Sequence, residues 1–244
     1  MKTGPKILCV LIGCLFLSAC ATSPASYRTN PQLIENLKTT KKITIIPLKI
    51  EVCELSAGGI KEKIDEWCVQ AKNNVMTAIQ KQLETKPILI VKPFHETVLS
   101  EDQRANLAET RALFDAVNAS ILTHTYGIPE QRFPEKIVNF DYSLGEEVGE
   151  LSAEVDVLLF VRCIDIIPTA GKQALETGKL ILGALAGVAL PVNMGGTLVS
   201  IALVDADTGL IIWYNQHGSG YSADLRDPIK TTTIVKKLLD DLPI

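Results

Sequence analysis

One run of apolar residues constrains the fold of this chain more than any other feature. Val157-Leu158-Leu159-Phe160-Val161 lies inside the longer, mainly apolar segment 155–167. A strand with one face in water alternates apolar and polar residues, whereas this run is almost continuously apolar. It therefore predicts a central strand that is covered on both faces. A sheet flanked by helices provides that environment, so we expect an α/β fold.

Other segments have the composition of further strands. Residues 43–50 are rich in β-branched side chains, and Pro47 among them cannot donate to a ladder, so we expect an edge or a bulge there. Residues 88–91 form a short apolar strand pattern. Residues 197–205 and 210–216 flank the turn-forming sequence Asp-Ala-Asp-Thr-Gly, which predicts an antiparallel β-hairpin.

Helix signals alternate with these strands. Apolar residues recur at three- and four-residue steps from Ile60 to Leu83, which predicts an amphipathic helix. Ser100 and Gln103 form the capping box of a second helix, and Asp227 followed by Pro228 begins a C-terminal one. The pattern predicts α/β architecture with a mixed sheet of about four to six strands flanked by helices, with a β-hairpin and a C-terminal helix.

The first twenty residues resemble a bacterial lipoprotein signal peptide. Lys2 and Lys6 precede a short apolar region at residues 7–17, and the small residues Ser18 and Ala19 stand directly before Cys20. This apolar stretch is too short for a membrane-spanning helix, which needs about 20 residues.

The resemblance implies that Cys20 becomes the acylated N-terminus of the mature chain and carries palmitate and other fatty chains. Ala21, rather than Asp, follows it, which implies anchoring at the outer membrane on its periplasmic side. We therefore expect a signal peptide at residues 1–19, a lipidated flexible tether at 20–41 and a single α/β domain at 42–244. The expected membrane contact is the lipid anchor.

The charge of the chain excludes one class of partner. The net charge is −4, and removal of residues 1–19 takes away Lys2 and Lys6 but none of the 28 acidic side chains. Nucleic acid binding requires a basic face, and this chain has no run of Lys or Arg. We therefore expect no nucleic acid partner.

Three cysteines remain after Cys20. In an oxidising periplasm, Cys53 and Cys68 could pair and close the segment between them. Spacing alone does not establish the geometry of a disulfide, so free thiols stay an equal alternative. Cys163 lies in the apolar strand pattern and has the character of a small buried hydrophobe.

The predicted hairpin, residues 198–213, resembles one found in a group of envelope lipoproteins. That group comprises the curli-secretion (CsgG-like) channel lipoprotein, penicillin-binding-protein activators and domains similar to the TolB N-terminal module. The shared pattern is a strand ending in Val204-Asp205, a Thr208-Gly209 turn and a second strand closing on Trp213. The resemblance implies an envelope protein that binds partners. The pore-lining strands of the curli channel have no counterpart in this sequence.

The run Leu180 to Leu190 is apolar throughout and contains Gly183 and Gly187, four residues apart, a spacing that lets helices approach closely. Its length is typical of a core helix that covers the sheet, which we take as the first expectation. The alternative is a helix that contacts a membrane or a partner through Leu182, Gly183 and Gly187. Strand addition at the hairpin edge near Trp213 is the other expected contact.

No catalytic, metal or cofactor motif stands out. The histidines have no metal-ligand spacing, and the aspartates of the hairpin turn lack the bidentate acid that completes a calcium loop. We therefore expect no cofactor, no metal, no small-molecule substrate and no enzymatic activity. The acidic residues from Glu146 to Glu154 recur at helical steps, which is typical of a solvated face.

These observations predict a non-catalytic, outer-membrane-tethered lipoprotein that acts as a binding or assembly module through a protein partner or self-association. One alternative is a subunit of a ring-forming secretion complex. Another is an envelope enzyme acting on peptidoglycan, with Glu146 to Glu154 and His217 in one cleft.

Overall fold

The computed structural model describes residues 27–40, 42–91, 99–151 and 155–244. Within these residues an eight-stranded sheet is flanked by helices. The strands are β1 (Arg28–Thr29), β2 (Lys42–Ile45), β3 (Lys49–Leu55), β4 (Lys61–Lys63), β5 (Leu89–Val91), β6 (Val157–Pro168), β7 (Gly196–Asp205) and β8 (Ile211–Ser219). The helices are α1 (Ile34–Thr39), α2 (Asp65–Leu83), α3 (Glu101–His124), α4 (Pro134–Asn139), α5 (Ala170–Ala186) and α6 (Pro228–Leu239), and short 3-10 helices lie at Pro129–Gln131 and Glu146–Leu151.

Strand β6 organises the sheet, whose order is β1-β8-β7-β6-β2-β5. On one side β6 pairs with β7 in antiparallel register, and on the other it pairs in parallel with β2 and then with β3. Ile43 lies opposite Val157, and Lys49 lies opposite Arg162, so β2 and β3 follow one another along the same edge of β6. Pro47 falls in the break between them, which confirms the expected interruption.

Both faces of β6 are buried, as its composition predicts. Leu159 and Val161 belong to a core formed with helices α2 and α6. Leu158 and Phe160 belong to a second core on the opposite face, where α3 packs. The expected α/β class with a mixed sheet, flanking helices and a C-terminal helix is therefore confirmed. The sheet has more strands than expected, because the segment 43–50 divides into two and because β1 and β4 are too short to leave a sequence pattern.

The predicted hairpin and helix caps are present. Strands β7 and β8 pair across the turn that follows Asp205. The Ser100 hydroxyl accepts from the Gln103 N–H at 3.2 Å, and the Gln103 side chain accepts from the Ser100 N–H at 3.0 Å. The Asp227 carboxylate accepts from the first N–H groups of α6. Helix α2 begins later than expected, at Asp65, because residues 61–63 pair with β3 as β4.

The folded region begins before Lys42, so the expectation of a flexible tether over the whole of 20–41 is wrong for residues 27–40. Arg28 and Thr29 lie opposite Tyr214 and Trp213 in antiparallel register. The Asn30 N–H extends this pairing by donating to the Ile212 carbonyl at 2.9 Å. A two-residue strand has no periodicity of its own, so the sequence carries no signal for it.

Candidate functional site: an exposed apolar finger

Helix α5 and the chain that returns from it form the most unusual surface of the described molecule. The helix leaves the sheet directly after β6, and the Thr169 hydroxyl caps its first turn by accepting from the Lys172 N–H at 3.1 Å. It ends at Gly187, which has the left-handed conformation with φ of 68° that favours glycine. The chain then returns to β7. We call residues 180–192, the second half of the helix and the first part of the return, the apolar finger.

The two glycines of the finger serve the chain's own turn. The Val188 N–H donates to the Gly183 carbonyl at 2.9 Å, which closes the helix end. A methyl group on Gly183 would stand 2.6 Å from the Val188 carbonyl oxygen, so glycine is required for this close approach. A methyl group on Gly187 would contact nothing within 4 Å among the described residues. Gly183 therefore packs closely against the returning chain, and Gly187 provides the positive φ of the turn between them.

Charged groups hold the base of the finger. The Glu176 side chain is fully buried, and its Oε1 lies 2.7 Å from Lys172 Nζ and 3.0 Å from Lys179 Nζ. Its other oxygen accepts from the Asn193 N–H on the returning chain at 3.3 Å. The hydrogen bonds from Lys172 and then Lys179 lower the pKa of Glu176 to about 2. The carboxylate is therefore ionised at neutral pH, and it ties the helix to its return.

The finger itself is apolar and exposed, so the expectation of a core helix is wrong. No residue from Leu180 to Val192 has a polar side chain. Its large side chains are between about two-fifths and four-fifths exposed, the highest value being 81% at Leu185. The exposed members are Leu180, Ile181, Leu182, Leu185, Val188, Leu190 and Val192. The buried residues of α5 are Lys172, Glu176 and Gly183, which inverts the usual arrangement of a surface helix.

The hairpin edge near Trp213 is not an open contact surface. The Trp213 side chain is fully buried, with its ring 6.4 Å from that of Tyr27 in a stacked arrangement. The backbone edge of β8 at this point is occupied by β1. The expectation of strand addition next to Trp213 is therefore wrong, because residues of the same chain already fill that place.

The structure holds Cys53 and Cys68 as free thiols. The Cys68 sulfur accepts from the backbone N–H of Val52 at 3.2 Å. Val52 faces the core that contains α2, and adjacent strand residues point to opposite faces, so Cys53 points away from that core. The disulfide is thus not formed here, and pairing after a change in side-chain position stays a prediction. Cys163 is buried as expected, and burial raises the pKa of its thiol to about 12.

The residues of the enzyme alternative do not converge. The 3-10 helix Glu146–Leu151 packs against the hairpin turn, where a methyl group on Gly149 would stand 2.5 Å from the Ala206 carbonyl oxygen. His217 lies opposite Val199, six residues further along β8 from Ile211, or about 20 Å away at the rise of a strand. Burial lowers the pKa of His217. Proton transfer between these two regions would require contact within about one water molecule, which this separation prevents. Glu154 lies outside the described residues.

Asp205 of the hairpin turn has the structural role that the turn chemistry predicts. The Asp205 carboxylate accepts from the Thr208 N–H at 2.9 Å and from its hydroxyl at 2.8 Å. Gly209 has a positive φ of 68°, and a side chain there would collide with the backbone of Gly145. No cluster of three or more His, Cys, Asp or Glu side chains suited to a metal ion occurs among the described residues.

A second feature that the sequence does not reveal is a cleft of about 550 Å³ between helices α2 and α3. Four cationic side chains contribute to its wall, together with apolar residues of both helices and of β3. The cations are Lys49, Lys63, Lys72 and Arg111. Lys49 pairs with Asp115, and Arg111 donates to the Pro47 carbonyl from Nε at 3.2 Å and from an Nη at 2.9 Å. These contacts join α3 to the break between β2 and β3.

The expected acylation site, Cys20, and the expected signal peptide lie outside the described residues. Among the residues that the structure describes, helices long and apolar enough to cross a bilayer are absent. The apolar finger is consistent with this finding, since its helical part from Leu180 to Ala186 is only about 10 Å long.

Comparison with known proteins gives structural neighbours and no family. No protein-family model and no curated protein sequence matches the chain. A solved structure of the PelC dodecamer from Paraburkholderia phytofirmans matches 89% of this chain and 94% of its own, with 9% identity and a TM-score of 0.37. The LpoB C-terminal domain from Salmonella enterica matches 79% of this chain and 96% of its own, with 8% identity and a TM-score of 0.28. This chain is therefore similar to both structures only in a loose sense, and its site must be interpreted from its own residues.

Proposed function

We propose that this chain is a non-catalytic lipoprotein of the bacterial envelope, anchored at the periplasmic face of the outer membrane through acylated Cys20, and that it works by binding through the apolar finger. The observation that carries this proposal is the exposure of the finger. Monomeric proteins rarely expose a continuous apolar surface of this kind without a partner that covers it. The signal-peptide resemblance of residues 1–20 supports the location.

The construction of the finger supports a role in contact rather than a chance exposure. A buried and ionised carboxylate, two lysines and a backbone N–H fix its base, and Gly183 fixes its tip. Burying charged groups costs free energy unless they are paired. Helix α5 buries paired charges and exposes its leucines, so the exposed apolar surface is the part of the helix available for contact.

Metabolic labelling with radioactive palmitate tests the anchor. The native chain and Cys14→Ala, a matched control within the expected leader, are expected to incorporate label, and Cys20→Ala is expected to lose it. Membrane fractions separated by density should contain the labelled protein with the outer membrane. An unlabelled native chain, or label that survives in Cys20→Ala, contradicts the lipoprotein assignment.

Complementation of a deletion strain tests the binding role against the enzymatic one. Leu185→Asp should fail to restore the wild-type phenotype to the deletion strain, whereas Ile229→Asp, a matched change at a 78% exposed apolar residue on α6, should restore it. Glu147→Gln and Glu150→Gln should also restore it, because the proposed function uses no acid–base group there. Loss of function in the glutamine variants, with Leu185→Asp active, supports the enzyme instead.

A further inference from the structure

We infer that the apolar finger inserts into the hydrocarbon of one leaflet of a lipid bilayer and gives the domain a second membrane attachment. This inference rests on the proposed function, because it names the partner of the same finger.

The finger is apolar on nearly every side. Successive helical residues are rotated by about 100°, so Leu180, Ile181, Leu182 and Leu185 together cover most of the helix circumference. The remaining direction is that of Gly183, which faces the returning chain. The return is itself exposed and apolar at Val188, Leu190 and Val192. A protein partner that docks on one face would leave the others in water, whereas hydrocarbon covers all of them.

The length of the finger fits insertion into a single leaflet. The helical part, Leu180–Ala186, extends about 10 Å, against about 30 Å for the hydrocarbon core of a bilayer. Elements that lie in the membrane interface bury their apolar parts to about 5–10 Å, which matches this dimension.

The charges are placed as a membrane boundary requires. The last charged residue before the finger is Lys179, and the next one along the chain is Asp205. Lys179 lies one residue before Leu180 and is partly exposed at the base. Lys172 and Lys179 together outweigh the single charge of Glu176, so the base of the finger keeps one net positive charge, which suits a boundary with lipid phosphates. Glu176, the acidic residue closest to the finger, is buried and neutralised by two lysines, so it does not oppose an anionic membrane.

The chain enters β1 from the end of the sheet at which the finger connects β6 to β7. Strand β1 is antiparallel to β8, with Arg28 opposite Tyr214 and Thr29 opposite Trp213, so the chain enters β1 from the direction of Asn215. Further along that direction lies Ser219, which pairs with Thr197 where the finger's return joins β7. The chain from Cys20 to Arg28 can span at most about 30 Å. An acylated Cys20 therefore keeps this end of the domain within reach of the bilayer.

Photocrosslinking in vesicles tests the inference. A benzophenone amino acid is placed at Leu185 or, as a matched control, at Ile229, which is equally exposed on α6. The full acylated chain, verified by mass spectrometry, is reconstituted in phosphatidylethanolamine and phosphatidylglycerol vesicles. We expect phospholipid adducts at Leu185 to exceed those at Ile229 at least tenfold. A probe at Val188 in the return should behave like the one at Leu185, which guards against a local defect in one variant.

Other results of this experiment separate the insertion of the finger from the lipid anchor. Equal phospholipid labelling at Leu185 and Ile229, or crosslinks from Leu185 to a second copy of the chain, overturns the inference and leaves the lipid-anchored binding module standing. A chain that purifies without acyl groups overturns the proposed anchor. If that unacylated chain still labels lipid through Leu185, the insertion of the finger stands without the anchor. If that unacylated chain labels phospholipid at neither position, both the anchor and the insertion of the finger are contradicted.

Discussion

The hairpin around Trp213 and the apolar finger are both strongly apolar, yet the first is buried and the second is exposed. Trp213 is fully buried beneath Tyr27 and the core, and its strand edge is occupied by β1. Leu185, in the finger, is 81% exposed. The difference lies in what other parts of the chain reach each element. Apolar composition shows that burial of a surface away from water is favourable. Long-range packing decides whether the same chain provides that burial.

Truncation of the buried Trp213 side chain should have the largest effect on stability. Trp213→Ala is expected to lower the free energy of unfolding by about 3–5 kcal/mol, because it leaves a cavity between β1 and the core. Trp67→Ala is the matched control. Trp67 is half-buried under the Arg226 guanidinium at 4.0 Å, and losing that contact should cost about 1 kcal/mol. Urea denaturation measures both, and equal losses would contradict the assignment of Trp213 to the core.

Two glycines of α5 sharpen the comparison within one helix. Gly178→Ala should stabilise the helix by about 1 kcal/mol, since alanine has the higher helix propensity. A methyl group there meets no other described residue within 4 Å. Gly183→Ala should instead destabilise the finger by about 1–3 kcal/mol, because its methyl group collides with the Val188 carbonyl and displaces the return. Hydrogen exchange of the amides at 180–195 measures the change, and stabilisation by both substitutions would contradict the close packing at Gly183.

The stability of the base of the finger should depend on pH because Glu176 must be ionised to bind its two lysines. Its pKa is lowered from 4.5 to about 2, so its stabilising contribution is complete above pH 4.5 and is lost as the pH falls toward 2. The amide resonance of Asn193, which donates to Glu176, should therefore titrate with a midpoint at about pH 2 in the folded chain.

Glu176→Gln should remove this titration, and Glu150→Gln, at an exposed residue of the 3-10 helix, should leave it unchanged. A titration of the Asn193 amide near pH 4.5 in the native chain would show that Glu176 is not held by its two lysines.

The smallest effect on stability should come from the exposed member of the comparison. Leu185→Ala removes a side chain that is 81% exposed, so the free energy of unfolding should change by less than about 0.5 kcal/mol. Differential scanning calorimetry without lipid provides the measurement, with Leu203→Ala, fully buried in β7, as the destabilised reference. A loss at Leu185 comparable to that at Leu203 would mean that the finger packs onto the domain.

The sequence predicts the elements whose signal is local. The continuous apolarity of β6, the Ser100 capping box and the Asp227 cap all depend on neighbouring residues, and each is present. The covering of Trp213 depends on two residues, Arg28 and Thr29, that pair with a strand about 185 positions away. No periodicity marks such a pairing.

The apolar finger can be predicted from the sequence only in part, for the same reason. The apolar run from Leu180 and its glycine spacing are visible in the sequence, and they identify the finger. Its exposure is not visible, because it depends on the absence of a covering element among the described residues. The spacing of Lys172, Glu176 and Lys179 fits contacts along one helix face, but such groups are usually solvated, so their burial had no sequence signal.

Strand β6 also determines when this chain can complete its fold. Its parallel partners β2 and β3 precede it by about 114 residues, as in the pairing of Ile43 with Val157. Until residues 157–168 have left the ribosome, those two strands have no central neighbour and neither core can close. Contacts this distant in sequence slow folding. A chain that acquires its central strand so late remains without either closed core during most of its synthesis.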